Sequence, residues 1–396
     1  MKSIRLLAVL VVLTASPSNI FSQDSLITQI VKKDLRTFFI NKKTFTGIGW
    51  DTLLSQIQKS DFVLIGEDHF TNEIPFFTSS VARKVKFDNF FAETDPYSAK
   101  IIESKIKMLN DLEFKEYQDE FEEVFAFYGL EPESLLLKQL VKSNTVIYGT
   151  DQILMNADRL ICNDLKNKTK NEKAKNIYED IEEKSKAYFT NFLKDPSKPM
   201  YLMTDEFEKQ LSEFKALRLS QEENEIINDL QLTAKIYKEQ NHHLRIQLMK
   251  NNLMKVYPEW HSKKNLFKYG AIHVSKGESF FKIYDIGNLV NNIADGEFKN
   301  SMHIMIVGKS GMQGSPFKDF PPKAIDENSA NLKFLRPIFA AVTSDDWYCF
   351  DMRQLKDAKE QGKVDVKDIA LSRVINGYDY VIIIPKVTAA KFPKKE

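Results

Sequence analysis

The fold is indicated by the stretch Asp61-Phe62-Val63-Leu64-Ile65-Gly66-Glu67-Asp68-His69-Phe70-Thr71-Asn72-Glu73. Residues 62–65 are a short apolar run with the β-branched content of a buried strand, and Gly66 ends it. Acidic side chains and one imidazole, His69, follow directly. Like charges at close range raise one another's proton affinity, and a neighbouring carboxylate keeps an imidazole oriented and basic. Because ligands of open α/β sheets bind at the carboxyl ends of strands, we interpret this segment as the centre of an active site.

The composition is that of an ordinary globular protein. The chain has 396 residues, 43% of them hydrophobic and 28% charged, which is enough to bury a large core. Its 56 basic and 55 acidic residues give a formal net charge of +1. This balance argues against a nucleic-acid partner and against a polyanionic substrate.

The N-terminus has the pattern of a secretory signal peptide. Lys2 and Arg5 precede an apolar run over residues 6–13, and small residues lead to a plausible cleavage site after Ser22. The run is too short to span a bilayer, so we expect no stable membrane span. The sequence therefore predicts a signal peptide over residues 1–22 and export, either periplasmic or secreted.

Two cysteines, Cys162 and Cys349, lie far apart in the sequence. An exported chain could pair them, but their spacing cannot show a disulfide, and a domain of this size does not need one. We favour two separate buried thiols.

Short apolar runs alternate with helical patterns along most of the chain. The predicted strands are residues 62–65, 90–92, 145–148, 266–271, 302–307 and 380–384, the last stopped by Pro385, and residues 24–60 predict helix, loop and helix. This alternation predicts an α/β fold with a mostly parallel central sheet flanked by helices. Residues 155–258 show no convincing strand, and we expect a large all-helical insertion there, within a single α/β hydrolase-like domain over residues 23–396.

Acidic and imidazole side chains follow several of these strands. Glu67 and His69 follow the first, Glu93 and Asp95 the second, Asp151 the third, and His273 the strand at 266–271. The carboxyl ends of parallel strands lie on one edge of a sheet, so these groups are expected to share a pocket. A single strand ending in Asp or Glu more often caps the next helix, but several such ends favour a shared site.

One helical segment brings further polar groups. Arg245, Met249 and Asn252 lie on one helix face, and Arg245 could form a forked contact with a carboxylate such as Glu67 or Glu93. The remaining histidines are expected to have no role in the site: His242 and His243 form an exposed pair, and the same reading is favoured for His261 and for His303, which is a core residue of a strand. The sequence has no Gly-x-Ser-x-Gly elbow and no His-Glu-x-x-His or paired Cys-x-x-Cys motif, so neither a serine hydrolase nor a zinc site has a strong signature.

In order along the chain, these motifs resemble the erythromycin esterase-like family. The resemblance rests on Gly66-Glu67-Asp68-His69 with Glu73, on Glu93, on Arg245-x-x-x-Met249-x-x-Asn252, on Ala271-Ile-His273, and on the closing Asp379-Tyr-Val-Ile strand. That family belongs to a wider superfamily with ChaN-type haem-uptake lipoproteins, TraB-type proteins and Tiki proteases. The resemblance covers about residues 60–388 and includes a helical insertion.

The resemblance implies hydrolysis of an ester, lactone or amide by an activated water, with a small-molecule or peptide substrate. His69 is then expected to act as general base, held by Glu67 or Glu93, and His273 to bind the substrate carbonyl or the developing oxyanion. Glu73, Arg245, Asp151 and Asn252 are expected to bind substrate or to support the residues that do.

Two alternatives remain open at this point. Glu67, His69, Glu93 and His273 could instead hold a divalent metal in a hydrolase or protease of the Tiki type. The mechanism that we favour requires no cofactor. The third reading is a non-catalytic haem-binding protein of the ChaN type.

Overall fold

The computed structural model describes residues 23–121 and 123–393, and the predicted signal segment at residues 1–22 lies outside them. Within these residues the chain forms one ten-stranded sheet. The strands are β1 (Arg36–Asn41), β2 (Thr44–Thr46), β3 (Phe62–Glu67), β4 (Asn89–Ala92), β5 (Val146–Gly149), β6 (Asn265–Gly270), β7 (Ser301–Gln313), β8 (Lys323–Ile325), β9 (Trp347–Asp351) and β10 (Tyr380–Val387).

Helices surround this sheet. They are α1 (Gln23–Lys33), α2 (Ile48–Lys59), α3 (Glu73–Lys84), α4 (Pro96–Met108), α5 (Asp111–Glu120), α6 (Glu131–Lys142), α7 (Asp158–Lys168), α8 (Glu172–Lys194), α9 (Asp205–Glu213), α10 (Gln221–Glu239), α11 (His242–Lys255), α12 (Tyr257–Trp260), α13 (Ile286–Gly296), α14 (Arg336–Phe339), α15 (Met352–Glu360) and α16 (Ile369–Gly377). Short 3-10 helices include Ala126–Gly129 and Ala271–Val274.

The sheet is mostly parallel, as the sequence predicts. Its order is β2-β1-β9-β10-β7-β3-β6-β4-β5, with β8 paired to β7. Neighbouring strands from β10 through β5 pair in parallel, whereas β9, β1, β2 and β8 pair antiparallel. The strand β6 therefore lies between β3 and β4, and this position decides the geometry of the site described below.

Side chains of the central strands alternate between two apolar cores, one on each face of the sheet. In β3, Val63 and Ile65 belong to one core, and Phe62 and Leu64 belong to the other. Successive side chains of a strand point to opposite faces, so a strand that is covered by helices on both faces is apolar at every position. This explains why β3 is recognisable from sequence as an unbroken apolar run.

The sequence prediction missed the N-terminal hairpin and misplaced the end of the last strand. Residues 24–60 contain β1 and β2 between two helices, joined by Lys42 and Lys43, both with positive φ. Two-residue hairpin turns of this kind usually carry Asn or Gly, so the Lys-Lys pair gave no signal. The strand β10 continues past Pro385 to Val387. It pairs with β9 only over 380–383, so position 385 lies beyond that pairing, where a missing N–H is tolerated.

The helical insertion and the separate thiols agree with the sequence prediction. The regular elements of residues 155–258 are helices, from α7 to α12. Cys162 and Cys349 are both free and buried. Among the helices that the structure describes, none is long and apolar enough to cross a bilayer.

Candidate active site

His69 stands just beyond the carboxyl end of β3, where its imidazole is anchored on one side. Its Nδ1 lies 2.8 Å from Oε1 of the buried Glu67, the last residue of the strand. Phe127, from the Ala126–Gly129 turn, stacks on the ring with centroids 4.2 Å apart. In the tautomer that donates its Nδ1 proton to Glu67, the neutral imidazole has its lone pair on Nε2. This is the tautomer that a general base requires.

Backbone contacts fix the loop that carries His69. Phe70 has a positive φ of 65°, which is unfavourable for a bulky residue, and its carbonyl accepts N–H groups of Gly314 and Ala390 at 2.8 and 2.9 Å. The side chain of Gln313 donates to the carbonyl of His69 at 2.8 Å. The long strand β7 and the segment after β10 therefore hold the loop in place.

Glu93 reaches the same point from β4, across the end of β6. Its Oε2 accepts the N–H of Gly270 at 2.6 Å and lies 3.5 Å from Nε2 of His69. A Cβ at position 270 would lie only 2.7 Å from that Nε2. The lack of a side chain on Gly270 is what lets His69 and Glu93 approach each other.

Arg245, on α11, binds the two carboxylates that follow β4 and β5. Its Nε donates to Oδ1 of Asp151 at 2.8 Å, and a terminal nitrogen donates to Oδ2 of Asp151 at 2.5 Å and to Glu93 Oε1 at 2.9 Å. The fork expected from sequence thus lies on Asp151, with Glu93 bound in addition. Because a planar guanidinium holds its partners in a fixed geometry, Arg245 orients Glu93.

A second imidazole–carboxylate pair faces Glu93 from the opposite side. His273, in the short helix after β6, has its Nδ1 2.9 Å from Oδ2 of Asp285 and its Nε2 3.5 Å from Oε1 of Glu93. His273 and Asp285 are almost completely buried. The N-cap of α13 is Asp285 itself, whose Oδ1 accepts the N–H of Ile286. The two imidazoles therefore contact one oxygen each of a single carboxylate.

Sequence reasoning missed Lys268, Glu133 and Asp285. The Nζ of Lys268, in the middle of β6, lies 2.6 Å from Oε2 of Glu67 and 2.7 Å from Oε1 of Glu133. A lysine within an otherwise apolar strand was the available signal, since such a residue is rarely buried without a partner. Glu133 and Asp285 look like ordinary helix-start residues, and nothing local marks them.

The other predicted residues lie in supporting positions. The side-chain amide of Asn252 donates to the carbonyl of Thr150 at 3.0 Å, which ties α11 to the end of β5. Glu73 accepts the N–H and hydroxyl of Thr388 and so anchors the segment after β10. Asp95 caps α4, the ordinary role of an acid after a strand.

The expectation of an exposed His242–His243 pair is wrong for the first residue. His243 is exposed, whereas His242 is half-buried and its ring centroid lies 6.0 Å from that of His273. Neighbouring positions on a helix point about 100° apart, so only one of the two can face the site. His303 is a fully buried core residue of β7, as predicted.

The charges at the site raise the pKa of His69 and lower the pKa of Glu93. Burial alone would lower the pKa of His69, but the Glu93 and Glu67 carboxylates outweigh it and hold that pKa above its usual value. Burial would raise the pKa of Glu93, but the charges of His273, His69 and Arg245 outweigh it and lower that pKa to about 2. Glu93 is therefore held as a carboxylate beside an imidazole whose pKa is raised.

The candidate metal ligands Glu67, His69, Glu93 and His273 are not arranged as a group of metal ligands in the part of the chain that the structure describes. Within residues 23–121 and 123–393, no three His, Cys, Asp or Glu side chains form an arrangement that could hold one. Glu67 already binds Lys268, and Glu93 already binds Arg245. A metal would have to displace these cations or be bound against their charge.

The sequence matches no protein-family model and no curated protein. Solved structures do match. A succinoglycan biosynthesis protein aligns over 96% of this chain and 100% of its own at 14% identity, with a TM-score of 0.58. A Bacillus cereus protein aligns over 94% and 99% at 15% identity, with a TM-score of 0.55.

The third match bears on the resemblance that the sequence motifs carry. A mutant of the erythromycin esterase EreC, in its open conformation, aligns over 89% of this chain and 98% of its own at 12% identity, with a TM-score of 0.58. The order of the motifs in the sequence and the architecture of the sheet thus lead to one answer: this chain has the erythromycin esterase-like fold.

Proposed function

We propose that this protein is a hydrolase that activates water with His69 to cleave an ester, a lactone or an amide. The observation that carries the proposal is the position of the His69 ring, with Nδ1 2.8 Å from Glu67 and Nε2 3.5 Å from Glu93. The ring is about one-quarter exposed, so a substrate can reach it, whereas Glu67 is buried and cannot be reached itself. No covalent nucleophile is needed for this chemistry.

In the proposed reaction, Nε2 of His69 removes a proton from water as the water attacks the carbonyl carbon. Glu67 and Glu93 stabilise the imidazolium that forms, because both carboxylates lie beside the ring. A positioned base of this kind contributes a factor of about 10²–10⁴ in rate. The proton then passes from His69 to the leaving oxygen or nitrogen.

In this proposal, His273 stabilises the developing negative charge. When both ring nitrogens carry a proton, His273 donates Nδ1–H to Asp285 and has Nε2–H, which lies beside Glu93, available for the oxyanion. Hydrogen-bond donors that are already oriented before the reaction are usually the largest single contribution to such catalysis. We assign the oxyanion to His273 and the general base to His69.

The charges favour a substrate that is neutral at the reacting group. Arg245 is bound by Asp151 and Glu93, and Lys268 by Glu67 and Glu133, so each of the two cations already has carboxyl partners. A phosphate or sulfate ester would meet these carboxylates without an unpaired cation to bind it. A carbonyl of an ester, lactone or amide fits better, and Phe127 offers an apolar surface beside it.

Export belongs to this proposal as well. Cleavage after Ser22 would leave a mature chain that begins at Gln23, which is the first residue of α1. The intact mass of protein recovered from the medium or periplasm tests this cleavage site.

The decisive experiment assays the mature chain, residues 23–396, against chromogenic esters, a set of lactones and peptide amides. We expect hydrolysis of at least one substrate, unchanged by a chelator such as EDTA, and loss of at least about 10²-fold in kcat for His69→Asn. Hydrolysis that persists in His69→Asn would overturn the mechanism. Activity that EDTA abolishes and a divalent metal restores would favour the metal-dependent alternative.

A further inference from the structure

A buried chain of charged groups extends behind His69, away from the substrate side. It runs from His69 to Glu67, from Glu67 to Lys268 and from Lys268 to Glu133, with successive contacts of 2.8, 2.6 and 2.7 Å. Glu67, Lys268 and Glu133 are all at most 4% exposed. The proposed reaction uses His69 and Glu67 but assigns no task to the other two.

We propose that Lys268 and Glu133 form a positioning pair that holds Glu67 against Nδ1 of His69. Each oxygen of Glu67 has a different partner: Oε1 contacts His69 and Oε2 contacts Lys268. A carboxylate bound at both ends cannot rotate, so the direction of the Nδ1 hydrogen bond is fixed. The strand pairing agrees with this contact. Lys268 lies directly opposite Ile65 in the neighbouring strand, and Glu67, two positions after Ile65, lies on the same face of the sheet.

A purely stabilising role explains the pair poorly. Burying charged groups costs several kcal/mol per ion, and apolar side chains of the same volume are often as stable or more stable. Glu133 also leaves Oε2 buried without a hydrogen-bond partner, an arrangement that costs further free energy. An arrangement this costly is more readily explained by its effect on the Glu67–His69 contact.

Glu133 also has an adjustable charge. Burial raises its pKa to about 7, against the lowering effect of Lys268 and with a further rise from Glu67. The charge of His69 lowers the pKa of Glu133, and the charge of Glu133 in turn raises the pKa of the buried Tyr128 hydroxyl. Ionised Glu133 competes with Glu67 for Lys268, so more of the negative charge of Glu67 stabilises the His69 imidazolium. Neutral Glu133 has the reverse effect.

The two members of the pair should therefore shift His69 in opposite directions. Lys268 lowers the pKa of His69, so removing its charge in Lys268→Met should raise the His69 titration midpoint by about one pH unit. Glu133→Gln removes a negative charge and frees Lys268 for Glu67, so the midpoint should fall by a smaller amount. Because both residues lie behind Glu67, we expect the His69 midpoint to rise in Lys268→Met and to fall in Glu133→Gln.

The midpoint can be measured without a substrate. NMR of the mature chain labelled with ¹³C at histidine Cε1 reports each imidazole, and the chain has six histidines. His69→Asn assigns the signal, because the missing resonance is that of His69. Asp158→Asn is the matched control. Like Glu133, Asp158 is a buried carboxyl with an unpartnered oxygen, and burial raises its pKa to about 6, but it contacts Ser185 in the helical insertion.

Opposite shifts in Lys268→Met and Glu133→Gln, with no shift in Asp158→Asn, would support the pair. An unchanged His69 midpoint in folded variants of both would overturn it. If Lys268→Met does not fold, Lys268→Gln keeps a polar group near Glu67 and is likewise expected to raise the His69 midpoint. The catalytic value of the pair rests on the proposed function, but this readout does not. Opposite shifts in a protein that hydrolyses nothing would refute the function alone, and unchanged midpoints in an active hydrolase would refute the pair alone.

Discussion

His69 and Glu93 contact each other across β6, a strand that carries neither of the two residues. Nε2 of His69 lies 3.5 Å from Oε2 of Glu93, although β3 and β4 are separated by β6. The contact passes over Gly270, the last residue of β6, whose N–H binds the same carboxylate oxygen. The basicity of His69 and the orientation of Glu93 therefore both depend on a glycine that has no reactive group.

Gly270→Ala tests this dependence. A Cβ at this position would lie 2.7 Å from Nε2 of His69, so the imidazole must move and we expect kcat to fall by about 10²-fold. Gly296→Ala is the control, because no atom lies within 4 Å of a Cβ there and activity should be unchanged. Full activity in Gly270→Ala would show that the contact between His69 and Glu93 is not required.

The pH dependence of kcat/KM reports the ionisation of His69. A general base must be neutral, so activity should rise with pH through an inflection above about 6.5, the usual value for histidine, because Glu93 and Glu67 outweigh burial and raise the pKa. Glu67→Gln removes one of these carboxylates, and we expect the inflection to move to lower pH. The matched control is Glu297→Gln, which alters a similar His–Glu pair with His261 at 3.1 Å. An inflection that is the same in all three proteins would contradict the assignment of His69 as base.

Arg245→Met should destabilise the fold strongly. The substitution leaves the buried Glu93 and Asp151 without their cation, and breaking a buried pair in this way costs about 3–5 kcal/mol. Arg353 forms the same forked contact with Asp351, but its side chain is 52% exposed, so Arg353→Met should cost about 0–1 kcal/mol. Denaturant unfolding of both variants measures the difference. Equal losses of unfolding free energy in the two variants would mean that burial of the Arg245 network does not add to its contribution to stability.

Asp285→Asn should impair catalysis without impairing folding. Asn and Asp cap helices about equally well, so α13 is expected to remain intact. The hydrogen bond that fixes His273 is weakened, and loss of one oriented oxyanion donor lowers kcat by about 10²-fold. Asp368→Asn changes another Asp N-cap, on α16, and should leave kcat unchanged. A KM effect with normal kcat would instead place His273 in substrate binding alone.

Much of the architecture could be predicted because its signals are local. A run such as residues 62–65 is apolar at every position because both faces of β3 are covered, and an acid or imidazole after the strand marks its carboxyl end. From this rule the sequence placed Glu67, His69, Glu93, Asp151 and His273 at one edge, and the structure brings them together. The β1–β2 hairpin escaped prediction, because its Lys-Lys turn carries none of the usual turn residues.

The sequence by itself determined which residues stand at the ends of strands, since hydrophobic periodicity and chain-breaking residues act over a few positions. Only the tertiary structure decided which of those ends are neighbours. Parallel strands are joined by long crossovers, which leave the order of strands in the sheet open. Insertion of β6 between β3 and β4 placed Gly270 beneath the contact of His69 with Glu93, and it also placed Lys268 against Glu67. The position of β6 also leaves Lys268 within reach of Glu133, and buried charges are stable only when they have such partners.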